Sequence, residues 1–221
     1  ILHLEDNPKY EFEVAKNFFN RNHKKISKPI KLIRRKKINI GYFSADFKLH
    51  PVMLLLIRIL ELHDSSKFNV YLYSLTPIED KYTQRGKEAA FGFRSIHHLN
   101  DLEIVELARK DQLDIAVDLM GYTQNSRMNI FSYRVAPIQI NYLGYPGSLG
   151  ADNIDYLIAD KIIIPEGYEK FYSEKIIRMP NCYQCNDNTK EICEEPISRK
   201  EFHLPEKGFV FTCFCANKKI T

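Results

Sequence analysis

The sequence predicts an α/β protein, a Rossmann-like parallel sheet flanked by helices. Three observations carry that expectation. Apolar, β-leaning runs alternate with helix-period stretches from residue 38 to residue 159, the spacing of βαβ units. Leu113 to Met120 reads as a buried strand, as expected where both faces of a parallel sheet are covered. The 221 residues are 44% hydrophobic and 27% charged, an ordinary globular balance with room for one large core or two lobes.

Residues 8 to 23 read as an amphipathic helix with Tyr10, Val14, Phe18 and Phe19 on its apolar stripe. Ser27 to Lys37 is a connector. Ile38 to Phe43 is the opening strand, and a short polar turn leads to His50-Pro51. Proline suits the first turn of a helix, and Pro51 to His63 continues as one that is apolar almost all round, so it should be buried on most sides. Phe68 to Leu75 is a strand closed by Thr76-Pro77, Lys81 to Ala90 a helix and Phe93 to His97 a short strand. Leu102 to Arg109 is a helix with Asp101 near its cap. After the strand Leu113 to Met120 come a helix from Ser126 to Tyr133 and a strand from Ala136 to Tyr142. Leu143 to Gly150 is a Gly/Pro loop, Ile154 to Ala159 and Lys175 to Met179 are strands, and Pro180 to Pro196 is polar and turn-rich. Phe209 to Phe214 begins a further strand.

The net charge of +4 is mild and spread out. Its one cluster, Arg34 to Lys37, has no interleaved aromatic platform, so no nucleic-acid partner is expected. No apolar run reaches membrane-spanning length, no membrane partner is expected, and the cytoplasm is the default compartment. Five cysteines form an odd set, unlike a secreted disulfide framework. Cys182-x-x-Cys185 and Cys213-x-Cys215 do not share zinc-ligand spacing, and no metal site is expected. The absence of an initial methionine and the stop directly after a strand-like run are read as marks of a piece of a longer protein.

Three places could hold chemistry. In open α/β sheets ligands bind at the carboxyl ends of strands, and His50 stands at such a joint. A helix N-terminus disfavours imidazolium, so this histidine can stay neutral and accept a proton, and the free amides beside it suit an anion. Equally, His50 can simply cap the helix. In Leu143 to Gly150, Pro146-Gly147 fits the centre of a type II turn, and the flanking glycines would let backbone approach a ligand, although a plain connecting loop fits as well. Asp114 and Asp118 share one face of a buried strand. Such carboxylates need partners, either for catalysis or to tie down a neighbouring loop. No dinucleotide G-x-G-x-x-G, Walker A or G-x-S-x-G signature is present.

Ile40 to Phe47 with His50-Pro51, Asp118 to Thr123, and Ala136 to Gln139 with Leu143 to Gly150 occur in that order. Asp155 to Asp160, Tyr172 to Lys175 and Met179 to Gln184 add to them. Together these stretches resemble the catalytic region of the O-GlcNAc transferase family, and its bacterial members most closely, over residues 35 to 221. The resemblance implies the first lobe of a GT-B glycosyltransferase and a division into three parts. These are a helical linker at 1–30 closing a tetratricopeptide-like region, a Rossmann-like catalytic lobe at 31–205, and the start of a nucleotide-sugar-binding lobe at 206–221. It implies inverting transfer of N-acetylglucosamine from UDP-GlcNAc to serine or threonine of proteins, with no cofactor and no metal. His50 would be the catalytic histidine. Lys219 would meet the donor diphosphate, where an ammonium offsets charge on the leaving UDP, and Thr123, Gly144, Tyr145 and Pro146 would line the sugar and acceptor side. Cys215, Ala216, Lys218 and Asp114 depart from the family pattern. A related transferase using another UDP-sugar, or a non-catalytic interaction module, are the competing expectations. By itself the chain should bind UDP weakly and turn nothing over.

Overall fold

In the computed structural model, residues 7–23, 30–191, 194 and 197–213 are described. Seven parallel strands form one sheet in the order β3-β2-β1-β4-β5-β6-β7. They are β1 (Ile38–Ser44), β2 (Phe68–Ser74), β3 (Gly92–Ser95), β4 (Ile115–Asp118), β5 (Ile138–Asn141), β6 (Tyr156–Ala159) and β7 (Lys175–Arg178). The chain runs outward from β1 to β3, then returns to place β4 on the other side of β1. This reversal is the doubly wound arrangement, and it opens a crevice between the carboxyl ends of β1 and β4.

Helices α2 (Pro51–Leu62) and α3 (Lys81–Ala89) cover one face, where Met53, Leu56, Ile57 and Leu60 meet Leu72, Val117 and Tyr142. On the other face α4 (Asp101–Lys110) and the single turn α5 (Asn129–Ser132) pack Ile104, Val105 and Phe131 against Phe43 and Tyr73. The connection from β5 to β6 contains no helix. Helix α1 (Pro8–Asn22) lies on that stretch instead, and Phe19 completes the core there beside Leu149 and Ala151.

The helices stop and start where their caps direct. Asn100, one residue before the expected cap, accepts from Leu102 and Glu103 amides while Glu103 reaches back to the Asn100 amide, a complete capping box. Asp80 and Thr83 form the same device on α3. Strands β4 and β5 are shorter than their apolar runs: β4 ends at Asp118, which accepts from the amides of the loop after it, and β5 ends at Asn141, which donates to Asp118. The strand expected from Phe209 is not formed over residues 209–213. Phe209 and Phe211 are 84% and 90% exposed, with no sheet to pair with or bury them. Among the described residues no helix is long and apolar enough to cross a membrane.

Candidate active site at the carboxyl edge of the sheet

His50 is the N-cap of α2, with extended backbone and Pro51 next to it. Its Nδ1 accepts from the Val52 amide at 3.3 Å and lies 3.4 Å from Asp46 Oδ2. The two contacts exclude each other at Nδ1. A bare Nδ1 accepts the helix amide, whereas a protonated Nδ1 donates to the Asp46 carboxylate. Burial raises the carboxyl of Asp46, and the charges of His50 and Lys48 pull it back. Among the described residues Nε2 has no hydrogen-bond partner, and the side chain is 39% exposed. Capping and proton acceptance therefore call for different tautomers: with Nδ1 accepting the amide a neutral ring carries its proton on Nε2, whereas an Nδ1–H turned to Asp46 leaves Nε2 free to accept.

The turn that carries His50 is held from α3. Asp80 caps α3 through Oδ1 and takes the Leu49 amide on Oδ2 at 2.5 Å, while Thr83 donates to the Phe47 carbonyl at 2.6 Å. The sequence reading missed both residues, although the D-x-x-T pattern before an amphipathic stretch is a capping signal.

Across the crevice, Asp118 is fully buried. It accepts from the amides of Met120 and Gly121 at 3.0 and 2.8 Å, and from Asn141 Nδ2 at 3.2 Å. Burial pushes its pKa up to about 6, against the three donors that favour its charged form. Asp118 is thus a loop anchor. Asp114 lies at the opposite end of the strand, where it pairs with Arg35 and the Asn39 amide. The two aspartates share a strand face but no site.

Thr123, Gly144, Tyr145 and Pro146 meet in one cluster. Thr123 is exposed and its hydroxyl donates to the Met120 carbonyl at 2.9 Å. The Tyr145 ring meets Tyr122 edge-on at 5.7 Å, and Pro146 is exposed beside it. Gly144 passes so close to Leu119 that a Cβ would collide with the Leu119 carbonyl oxygen. The expected type II turn at Pro146-Gly147 is not formed, because positive φ falls on Leu143 (70°) and Gly150 (59°) rather than Gly147. A three-residue turn around Leu143, closed by the Gly144 amide on the Tyr142 carbonyl at 2.9 Å, reverses the chain instead. Met120 joins this cluster to His50's strand, since its sulfur accepts from Ser44 Oγ and the Ala45 amide at 3.3 and 3.4 Å. Lys219 lies outside the described residues. Three cavities of about 280, 360 and 240 Å³ lie at the opposite, amino-terminal edge of the sheet and share none of these residues.

A doubly wound lobe with a helix-capping histidine and two glycine-bearing loops at its switch point is the build of a GT-B glycosyltransferase lobe. A solved mutant of the Thermobaculum terrenum O-GlcNAc transferase superposes with a TM-score of 0.78 at 30% identity, over 83% of this chain and 36% of that one. The chain belongs to glycosyl transferase family 41, whose model matches residues 17–195. Similar curated proteins include two from Arabidopsis thaliana, SEC and SPINDLY, each described as a probable UDP-N-acetylglucosamine–peptide N-acetylglucosaminyltransferase. SEC is 35% identical over 81% of this chain and SPINDLY 30% over 75%. The chain spans 19% of the length of either.

Proposed function

We propose that this chain is part of an inverting glycosyltransferase that moves N-acetylglucosamine from UDP-N-acetylglucosamine to serine or threonine hydroxyls of cytoplasmic proteins. The observation that carries the reading is His50 at the switch point of the sheet, whose Nδ1 can turn its proton to Asp46 and so leave Nε2, without a partner among the described residues, free to accept one. In the proposed reaction the acceptor oxygen bonds to the sugar's anomeric carbon, the bond from that carbon to UDP breaks, and the hydroxyl proton departs. His50 lies next to this centre, to accept that proton or to orient the groups. Thr123, Gly144, Tyr145 and Pro146 line the sugar and acceptor side. In this scheme Lys219 is the residue assigned to the diphosphate, where an ammonium would offset the leaving charge. The scheme assigns every role to a residue of the protein and includes no metal.

The test is transfer from UDP-N-acetylglucosamine to a serine- and threonine-bearing peptide by the full-length protein, read by mass spectrometry. A mass gain of one N-acetylhexosamine that persists in EDTA supports the reading. No gain, or transfer only from UDP-glucose in a parallel reaction, overturns it.

A further inference from the structure

Glu174 sits just before β7 on the edge of the sheet, 26 residues from the loop it contacts, and is 3% exposed. Its Oε1 accepts from the Leu149 amide and its Oε2 from the Ser148 hydroxyl, both at 2.7 Å. Ser148 Oγ in turn accepts from the amides of Gly150 at 3.1 Å and Ser173 at 3.2 Å. With its lone pairs occupied in this way, the hydroxyl has one proton to give, and Glu174 Oε2 at 2.7 Å takes it ahead of Ser173 Oγ at 3.4 Å. Both Glu174 oxygens therefore have to accept at once, which a carboxylate does and an amide cannot.

The anchored segment, held at the amino end of β7, is joined to the carboxyl edge. The Leu149 carbonyl accepts from Tyr122 Oη at 2.6 Å, which ties the 144–150 loop to the 119–123 loop. At its other end the loop begins at Leu143, held at φ 70°. Non-glycine residues in such conformations cost about 1–3 kcal/mol and persist only where the surroundings over-determine them. The Glu174 carboxylate supplies a restraint five and six residues along the chain, at Ser148 and Leu149.

We propose that Glu174 is the positioning residue for the candidate site: its carboxylate fixes Ser148 and Leu149, and through Tyr122 sets the placement of Gly144 to Pro146 and of Thr123. Its part in transfer rests on the glycosyltransferase reading, but its hold on the two loops does not. In the full-length protein, Glu174→Gln should speed amide hydrogen exchange at least tenfold in peptides spanning 119–123 and 144–150, with peptides from β1 and β2 unchanged. In the same preparation the KM for the acceptor peptide should rise at least tenfold while kcat stays within threefold. A role limited to filling space predicts instead that Gln, nearly isosteric, behaves as the native residue. Ser148→Ala, which removes only the hydroxyl, should reproduce the exchange at 148–150 and serves if Glu174→Gln does not fold. Unchanged exchange at both loops in either folded variant overturns the proposal. Wild-type transfer reports on the glycosyltransferase reading alone, and loop exchange on Glu174 alone.

Discussion

His50 combines a structural and a chemical role in a single ring, and the two can be separated. Removing an N-cap costs about 0.5–2 kcal/mol, so His50→Ala should lose about 1 kcal/mol along with activity. Asparagine caps helices as well as any residue does but offers no imidazole. His50→Asn should therefore recover the stability of the native protein in urea denaturation and still transfer sugar at least a hundredfold more slowly. Equal activity in His50→Asn and the native protein would leave His50 only its cap. At this scale the sequence was informative where a signal was local. The strand–proline–helix joint marked His50 and the family-like stretch marked Gly144. Chain pattern misplaced the positive φ at Gly147, because the turn is set by Gly144 closing on Tyr142 and by contact with Leu119, neither visible in a dipeptide. Glu174 appeared only as one letter of a matching stretch, since its partners lie 25 and 26 residues away.

Helix α1 shows the same limit for a whole element. Its existence and bounds follow from its apolar period, but its buried stripe is Ala15 and Phe19, with Tyr10 and Phe18 near half exposed. The rotation has a physical cause. The helix backbone at Ala15 and Lys16 lies directly on Gly150, where a Cβ would overlap it, and only a face led by a small side chain can approach so closely. The C-terminal end of α1 adds an aromatic contact to the site, with His23 stacked at 5.4 Å on Phe19 and 6.1 Å from the Tyr122 ring, and Phe18 edge-on to Tyr122 at 4.8 Å. Truncating a buried phenylalanine costs about 3–5 kcal/mol. Phe19→Ala should pay that in stability and, by loosening α1, raise hydrogen exchange around Leu149 and Gly150. Loss of stability with no change at those amides would show that α1 covers the loop without ordering it. The βαβ alternation made most of the other elements legible, because buried strands and cap signals are written in neighbouring residues. What it could not show was that α1 takes the place of the helix missing between β5 and β6.

At the scale of the whole molecule, the buried carboxylates make stability depend on pH in a direction that can be worked out. Asp118 has a folded pKa of about 6 against an ordinary 3.8, so the folded state holds that proton more tightly than the unfolded chain. Its contribution is complete below the unfolded value and is lost as pH rises through 6. A shift of this size corresponds to about 3 kcal/mol. Glu174, also raised by burial, acts in the same sense. Other groups oppose them. Burial lowers His63, whose neutral form is favoured in the fold, so its contribution is lost as pH falls through its folded pKa. Arg85 holds Glu61 and Asp187 below the usual carboxylate range, and their stabilisation is lost at still lower pH. The sum is therefore uninformative, but a difference is not. Asparagine at position 118 does not titrate, and the other groups cancel between the two proteins. Relative to Asp118→Asn, the native protein should gain up to about 3 kcal/mol in urea-unfolding free energy between pH 7.5 and pH 4. At neutral pH the variant should still be the less stable of the two, because an amide facing the Met120 and Gly121 donors leaves one of them unpaired. A gap that stays constant with pH would mean that Asp118 titrates alike in the folded and unfolded chain, and that its three donors offset its burial in full.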